Sequence, residues 1–283
     1  MLIVFLSILA LIVVAALVVS PRFGERFYRR MVFGPTKAIM ADYKLKTLAN
    51  CQREDVFFKT KSGHKLHAFF FRQSNSPYTI LFSHSNAGNV DNWSPVTAQL
   101  LASGASVFAY DYRGYGLSEG VPSLAGICQD GLAAYDYLVQ VAKVDPATII
   151  LFGGSLGTGV SCEIARQRPC AGIILHAAFS SLRALVIGLM PPTRFLPNLF
   201  FFRPALENAS RLSKLNTPLL IVHGEYDDMV PTSQAETLLK ASASTSKSLV
   251  ILPGASHMQT TGQDGLFQKS INYFVDGLGV KAS

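Results

Sequence analysis

Leu2 to Val19 is an unbroken apolar run apart from Ser7. As a helix rising ~1.5 Å per residue it reaches roughly 28 Å, close to the hydrocarbon thickness of a bilayer. After residue 50 the pattern changes to short apolar runs separated by helical stretches. Val56-Phe57-Phe58 and Leu66 to Phe71 flank Lys61-Ser62-Gly63-His64, which predicts a β-hairpin. Further strands are predicted at Tyr78–Phe82, Ser106–Tyr110, Thr148–Phe152, Gly172–Leu175, Leu219–Val222 and Leu249–Leu252. The helical stretches between them are Asn92–Ala102, Leu124–Ala142, Gly157–Gln167, Ser233–Leu239 and Gly265–Phe274. Such alternation predicts an α/β fold, with a mostly parallel sheet covered by helices on both faces. One segment breaks the rhythm. Residues 183–212, with Leu185-Val186-Ile187 and Leu199-Phe200-Phe201-Phe202, are too long and apolar for a plain connection and suggest a lid over a pocket.

Composition sharpens this picture. The chain has 283 residues, 49% hydrophobic and 15% charged, which excludes intrinsic disorder and leaves ample material for a core. The net charge of +7 would suit a nucleic-acid binder if it were spread over the fold. It is not. Residues 21–50 hold seven basic side chains and two acidic ones, so the remainder is nearly neutral. Nucleic acid is therefore disfavoured as a partner. Arg22, Arg26, Arg29 and Arg30 lie just after the apolar run, whereas no Lys or Arg precedes it. The run also lacks an A-x-A cleavage site, and Pro21 follows the nearest candidate cut. The expected organisation is a transmembrane anchor over 1–20, a basic juxtamembrane segment over 21–50 that meets lipid headgroups, and a folded domain over 51–283. The Lys/Arg bias predicts a cytoplasmic domain. Four cysteines without metal-ligand spacing fit reduced thiols.

The pattern G-x-S-x-G occurs twice, at Gly153-Gly154-Ser155-Leu156-Gly157 and at Gly116-Leu117-Ser118-Glu119-Gly120. A nucleophile elbow needs a strand running into the turn and a helix leaving it, so that the hydroxyl stands above the sheet at a helix N-terminus. Ser155 has both. Ser118 follows a Gly-rich loop and precedes Pro122, and reads as loop. A serine nucleophile needs a base, and the base an orienting carboxylate; in a fold with this elbow they follow in the chain order Ser, acid, His. His257 follows the last strand and is the predicted base. Glu225, Asp227 and Asp228, after the strand Leu219–Val222, all qualify as the acid on these grounds.

Several motifs in order resemble the α/β-hydrolase superfamily, in its branch of membrane-anchored serine hydrolases with a short lid. His84-Ser85-Asn86-Ala87-Gly88-Asn89 is similar to the H-G-N-A-G-N oxyanion loop of that branch. Tyr110 to Gly120 resembles its D-Y-R-G-Y-G-x-S-x-G loop, and His223 to Pro231 its H-G-x-x-D-x-x-V-P segment. The resemblance implies Asp227 as the acid and the backbone N–H groups of Asn86 and Leu156 as the oxyanion hole. Ser85 stands where the family has Gly, and would be strained if that position needs a positive φ.

The function implied is hydrolysis of carboxylic esters or thioesters through an acyl-enzyme, with Ser155, Asp227 and His257 as triad and no metal or organic cofactor. The apolar lid and anchor suggest acyl-chain or lipid substrates. The alternatives are a peptidase and a non-catalytic, membrane-tethered scaffold on a hydrolase fold.

Overall fold

The computed structural model describes residues 32–37, 51–261 and 263–279, together with the isolated Ser7, Val14 and Arg29. The expected anchor over 1–20 and most of the basic segment lie outside these described residues. Among the described residues, no helix is long and apolar enough to cross a membrane.

An eight-stranded sheet forms the centre. Its strands are β1 (Cys51–Lys59), β2 (Lys65–Gln73), β3 (Thr79–Ser83), β4 (Ser106–Tyr110), β5 (Ile149–Gly154), β6 (Gly172–His176), β7 (Leu219–Gly224) and β8 (Lys247–Leu252). Their spatial order is β8-β7-β6-β5-β3-β4-β2-β1. β2 pairs antiparallel with β1 and β4, and every pairing from β4 through β8 is parallel. The predicted hairpin is therefore longer than its apolar centre: polar, half-exposed residues on β1 extend the ladder back to Cys51. Strands β3 to β7 are buried at every position, which is why they read as continuous apolar runs.

The connections carry helices α1 (Ser94–Leu101), α2 (Leu124–Gln140), α3 (Leu156–Gln167), α4 (Leu182–Leu189), α5 (Asn208–Leu212), α6 (Thr232–Ala241) and α7 (Leu266–Gly277). Neighbouring strand residues point to opposite faces and feed two cores. Ile149 and Leu151 pack with Ile127, Val160 and Leu238 from α2, α3 and α6. Ile150 and Phe152 pack with Leu100 of α1 and Phe267 and Ile271 of α7. With both faces covered, the sheet's C-terminal edge is where polar side chains can gather.

Two excursions reach that edge. Between β6 and β7 the chain makes α4, 3-10 turns at Pro191–Phe195 and Asn198–Phe200, and then α5. Ser181 starts α4 by accepting the Ala184 N–H at 3.0 Å, an N-cap that satisfies a helix-end donor. The second excursion is Gly34–Pro35, which pairs in parallel with Ala87–Gly88. These two residues belong to the segment that the sequence assigns to the stretch before the domain, yet they form part of the domain's rim.

Candidate active site

β5 runs straight into Ser155, and α3 begins at the next residue. Ser155 has φ +48° and ψ −112°, a conformation that costs a non-glycine residue about 1–3 kcal/mol and persists only when its surroundings over-determine it. They do. Its N–H donates to the His176 carbonyl and its carbonyl accepts from the Thr158 N–H, both at 2.9 Å. The flanking glycines are there for close approach. A Cβ on Gly153 would lie 2.6 Å from the Gly157 carbonyl oxygen, and one on Gly157 would run into the Ser83 carbonyl oxygen. Here, then, is the physical content of the first pentapeptide.

The structure brings Ser155, His257 and Asp227 into one hydrogen-bonded line. Ser155 Oγ lies 3.0 Å from His257 Nε2, and His257 Nδ1 lies 2.8 Å from Asp227 Oδ2. A carboxylate can only accept, so Nδ1 carries the proton and Nε2 is left to accept from the serine. The Asp227 side chain is wholly buried, while that of His257 keeps 14% exposure. Burial alone would raise the Asp227 carboxyl. The bonds from His257 and the Val230 N–H outweigh it and hold the carboxyl below its usual range. Asp227 Oδ1 also accepts from Met229 and Val230 N–H, at 3.0 and 2.8 Å.

Of the three acids that the residues alone left open, the other two point elsewhere. Asp228 is exposed. Glu225 accepts the Gly254 N–H at 2.8 Å, and the Tyr226 N–H donates to the Ala255 carbonyl at 2.8 Å. The acid loop is thereby tied to the turn that carries His257. The sequence reading passed over His223, whose Nε2 donates to the Val230 carbonyl at 2.7 Å and lies 3.4 Å from Asp227 Oδ2. Its place at the head of the H-G-x-x-D segment was the available signal.

Asn86 and Leu156 line one cavity with Ser155, and neither backbone N–H has an acceptor among the described residues. Two unpaired donors beside a nucleophile can receive the oxygen of a carbonyl under attack. Ser85 does not take a positive φ, so the expected strain at this position is absent. Its hydroxyl donates to Asn86 Oδ1 at 3.2 Å, and its carbonyl accepts from His84 Nδ1 at 2.7 Å. A side chain fits where the family carries glycine because the backbone there is ordinary.

The cavity's other walls are Val32, Leu182, Leu185, Val186, Leu189, Met190, Phe202, Met229 and Val230. Leu182, Leu185, Val186, Leu189 and Met190 follow the i, i+3, i+4, i+7, i+8 spacing of an amphipathic helix. That stripe marks α4 within the apolar excursion, and a periodicity count across it would have found the helix. Among the described residues, no group of three or more His, Cys, Asp or Glu could hold a metal ion.

Comparison with known proteins accords with this architecture. A family model described as alpha/beta hydrolase fold matches residues 78–199. One described as serine aminopeptidase, S33, matches residues 199–264. A protein of Mycobacterium tuberculosis is 34% identical over 216 residues, covering 75% of this chain and 74% of its own length. The alpha/beta hydrolase domain-containing protein WAV2 of Arabidopsis thaliana is 32% identical over 225 residues, 73% of each chain. Among solved structures, an esterase of Pyrococcus furiosus superposes with a TM-score of 0.72 at 17% identity, covering 89% of this chain and 99% of that one. The chain belongs to the alpha/beta hydrolase family.

Proposed function

We propose that this protein is a membrane-tethered serine hydrolase that cleaves carboxylic esters or thioesters of apolar acyl groups through an acyl-enzyme. The observation that carries the reading is the Ser155–His257–Asp227 line opening onto an apolar cavity beside two unpaired N–H groups. His257 Nε2 takes the proton of Ser155 as Oγ bonds to the substrate carbonyl carbon. Asp227 holds the Nδ1–H tautomer and stabilises the imidazolium. The Asn86 and Leu156 N–H groups receive the developing oxyanion. On collapse, the leaving alcohol or thiol takes the proton from His257. Water, deprotonated by the same nitrogen, then releases the acid and regenerates Ser155.

The cavity supports an acyl rather than a peptide preference. Its volume is about 140 Å³, near the ~150 Å³ of a void that accepts a benzene-sized guest. It suits a short acyl group or the first carbons of a longer one. Leu189 and Met229 are 51% and 41% exposed and offer an apolar way out for the rest. Among the described residues, no carboxylate lines the cavity to receive the free amino terminus of a peptide. In this reading the apolar run over 1–20 is the tether, and the arginines after it keep the catalytic domain on the cytoplasmic side.

Labelling of the purified full chain with a fluorophosphonate probe, followed by a series of acyl esters and thioesters of increasing length, tests the proposal. Covalent labelling and turnover that rises with apolar acyl length are expected. A chain that neither labels nor turns over any ester would be a scaffold on a hydrolase fold.

A further inference from the structure

Residues 32–37 come just after the basic run, and the structure lays them against the catalytic centre. Val32 walls the same cavity as Ser155. The Gly34 N–H donates to the Asn86 carbonyl at 2.8 Å, and the Thr36 N–H to the Gly88 carbonyl at 3.1 Å. The Thr36 carbonyl in turn accepts from Asn89 Nδ2 at 3.1 Å and from the Gly116 N–H at 2.9 Å. Lys37 Nζ donates to the Ser118 carbonyl at 2.9 Å. Six consecutive residues thus tie together the oxyanion loop, the Gly-rich loop behind it and the cavity wall.

The position of the Gly34 bond matters most. The Asn86 N–H lies in the peptide plane it shares with the Ser85 carbonyl, and the next plane, which carries the Asn86 carbonyl, is joined to it at the Asn86 Cα, so holding both planes fixes the aim of that N–H. The plane before Asn86 is fixed by His84 Nδ1 on the Ser85 carbonyl. The plane after it is fixed through the Asn86 carbonyl, which takes both the Gly34 N–H and the Tyr115 hydroxyl, the latter at 2.6 Å. Everything else on that carbonyl comes from the body of the fold. Gly34 alone comes from the segment leading out of the basic run.

Resting on the hydrolase reading above, we propose that Val32–Lys37 is a working part of the active site, a strap that positions the Asn86 oxyanion donor through Gly34 and sets acyl-chain selection through Val32. Gly34 is a positioning residue and touches no substrate. The catalytic unit therefore includes the strap as well as the chain from Cys51, and its oxyanion loop is coupled to the chain that follows the basic run.

The test uses the full chain in detergent with p-nitrophenyl esters. Gly34→Pro removes the donated hydrogen, whereas Gly34→Ala keeps it, since a Cβ there meets nothing nearer than 3.5 Å. Gly34→Pro is expected to lower kcat ~10-fold or more while KM for a short ester stays within about twofold, and Gly34→Ala to restore the rate. Wild-type turnover in the proline variant, or an equal loss in the alanine variant, overturns the positioning role. The second arm does not depend on Gly34→Pro folding. Val32→Ala enlarges the cavity and is expected to move the preferred acyl length upward, and Val32→Trp to move it downward. An unchanged chain-length profile in both overturns the wall role. Failure of the wild-type chain to hydrolyse any ester would instead remove the hydrolase reading itself.

Discussion

Gly153–Gly157 and Gly116–Gly120 carry the same five-residue pattern, and the fold uses them in opposite ways. In the second, the positive φ values fall on the glycines, +45° at Gly116 and +86° at Gly120, and Ser118 keeps an ordinary backbone. Ser118 is 1% exposed, and its hydroxyl donates to the Asp111 carbonyl at 2.8 Å and accepts the His67 N–H at 2.9 Å. It is a brace between β2 and the residue that follows β4. In the first, the serine itself takes φ +48°, the glycines make room for backbone, and the hydroxyl faces a histidine ring. A pentapeptide does not define a nucleophile. The two serines differ in where the strain sits, and at Ser155 that follows from a strand and a helix meeting with no spare residue between them.

The largest expected effect divides the two serines. Ser155→Ala is expected to lower ester turnover by on the order of 10⁴–10⁶-fold and to abolish fluorophosphonate labelling. Ser118→Ala should label and turn over like the wild type. Equal labelling of Ser155→Ala and the wild type would transfer the nucleophile elsewhere. Next in size is the acid. Ser155 answers to a carboxylate through His257, whereas the Ser118 hydroxyl touches only backbone. Asp227→Asn should cost roughly 10³–10⁴-fold in kcat by favouring the wrong imidazole tautomer. Exposed Asp228→Asn should stay within about twofold, and the reverse result would reassign the acid.

The comparison also shows what the sequence could disclose. Strands β3 to β7 were legible because burial on both faces makes them plain apolar runs, and the turn at Ser155 because a predicted strand and a predicted helix abut it. Which carboxylate meets His257 was not legible from residue chemistry alone. Glu225, Asp227 and Asp228 are equivalent until the fold buries one carboxylate and turns the others outward, and family resemblance was needed to single out Asp227. The strap was hidden for a different reason. Gly34 acts through its N–H and Thr36 through its N–H and carbonyl, groups that nearly every residue possesses, so no side-chain pattern announces them. Tyr115 and His223 lay within recognised motifs, but their partners are carbonyls far from them in sequence or across a turn.

A smaller effect follows from Ser118 as a brace. Ser118→Ala leaves the buried His67 N–H without its acceptor, which is expected to cost about 1–3 kcal/mol of stability with the chemistry intact. Denaturant unfolding measures the first and ester turnover the second. A variant as stable as the wild type would mean that the hydroxyl braces nothing.

The smallest effect concerns the histidines beneath the two serines. Both are wholly buried, but His67 Nε2 reaches Asp55 Oδ1 at 3.2 Å, whereas His176, whose carbonyl holds the Ser155 N–H, has no hydrogen-bond partner for either ring nitrogen among the described residues. Burial pushes the His176 ring down from 6.5 to about 3, with the neighbouring His223 and His257 adding to the shift. Between those two values the unfolded chain binds a proton that the folded chain refuses, so stability falls as pH is lowered through this window. His176→Gln removes the titrating group and keeps a side chain of similar reach. It should flatten the acid side of the stability curve between about pH 6.5 and 3, leaving turnover at neutral pH close to wild type because only the carbonyl touches Ser155. Asp227 contributes with the same slope from a lower window: its carboxyl is held below the usual range, so its contribution is present above that range and is lost as pH drops through the folded value. The two are separable, since His176→Gln should act first on acidification and Asp227→Asn only near the bottom of the curve. An acid limb unchanged by His176→Gln would mean that the ring is hydrated or protonated in the folded protein.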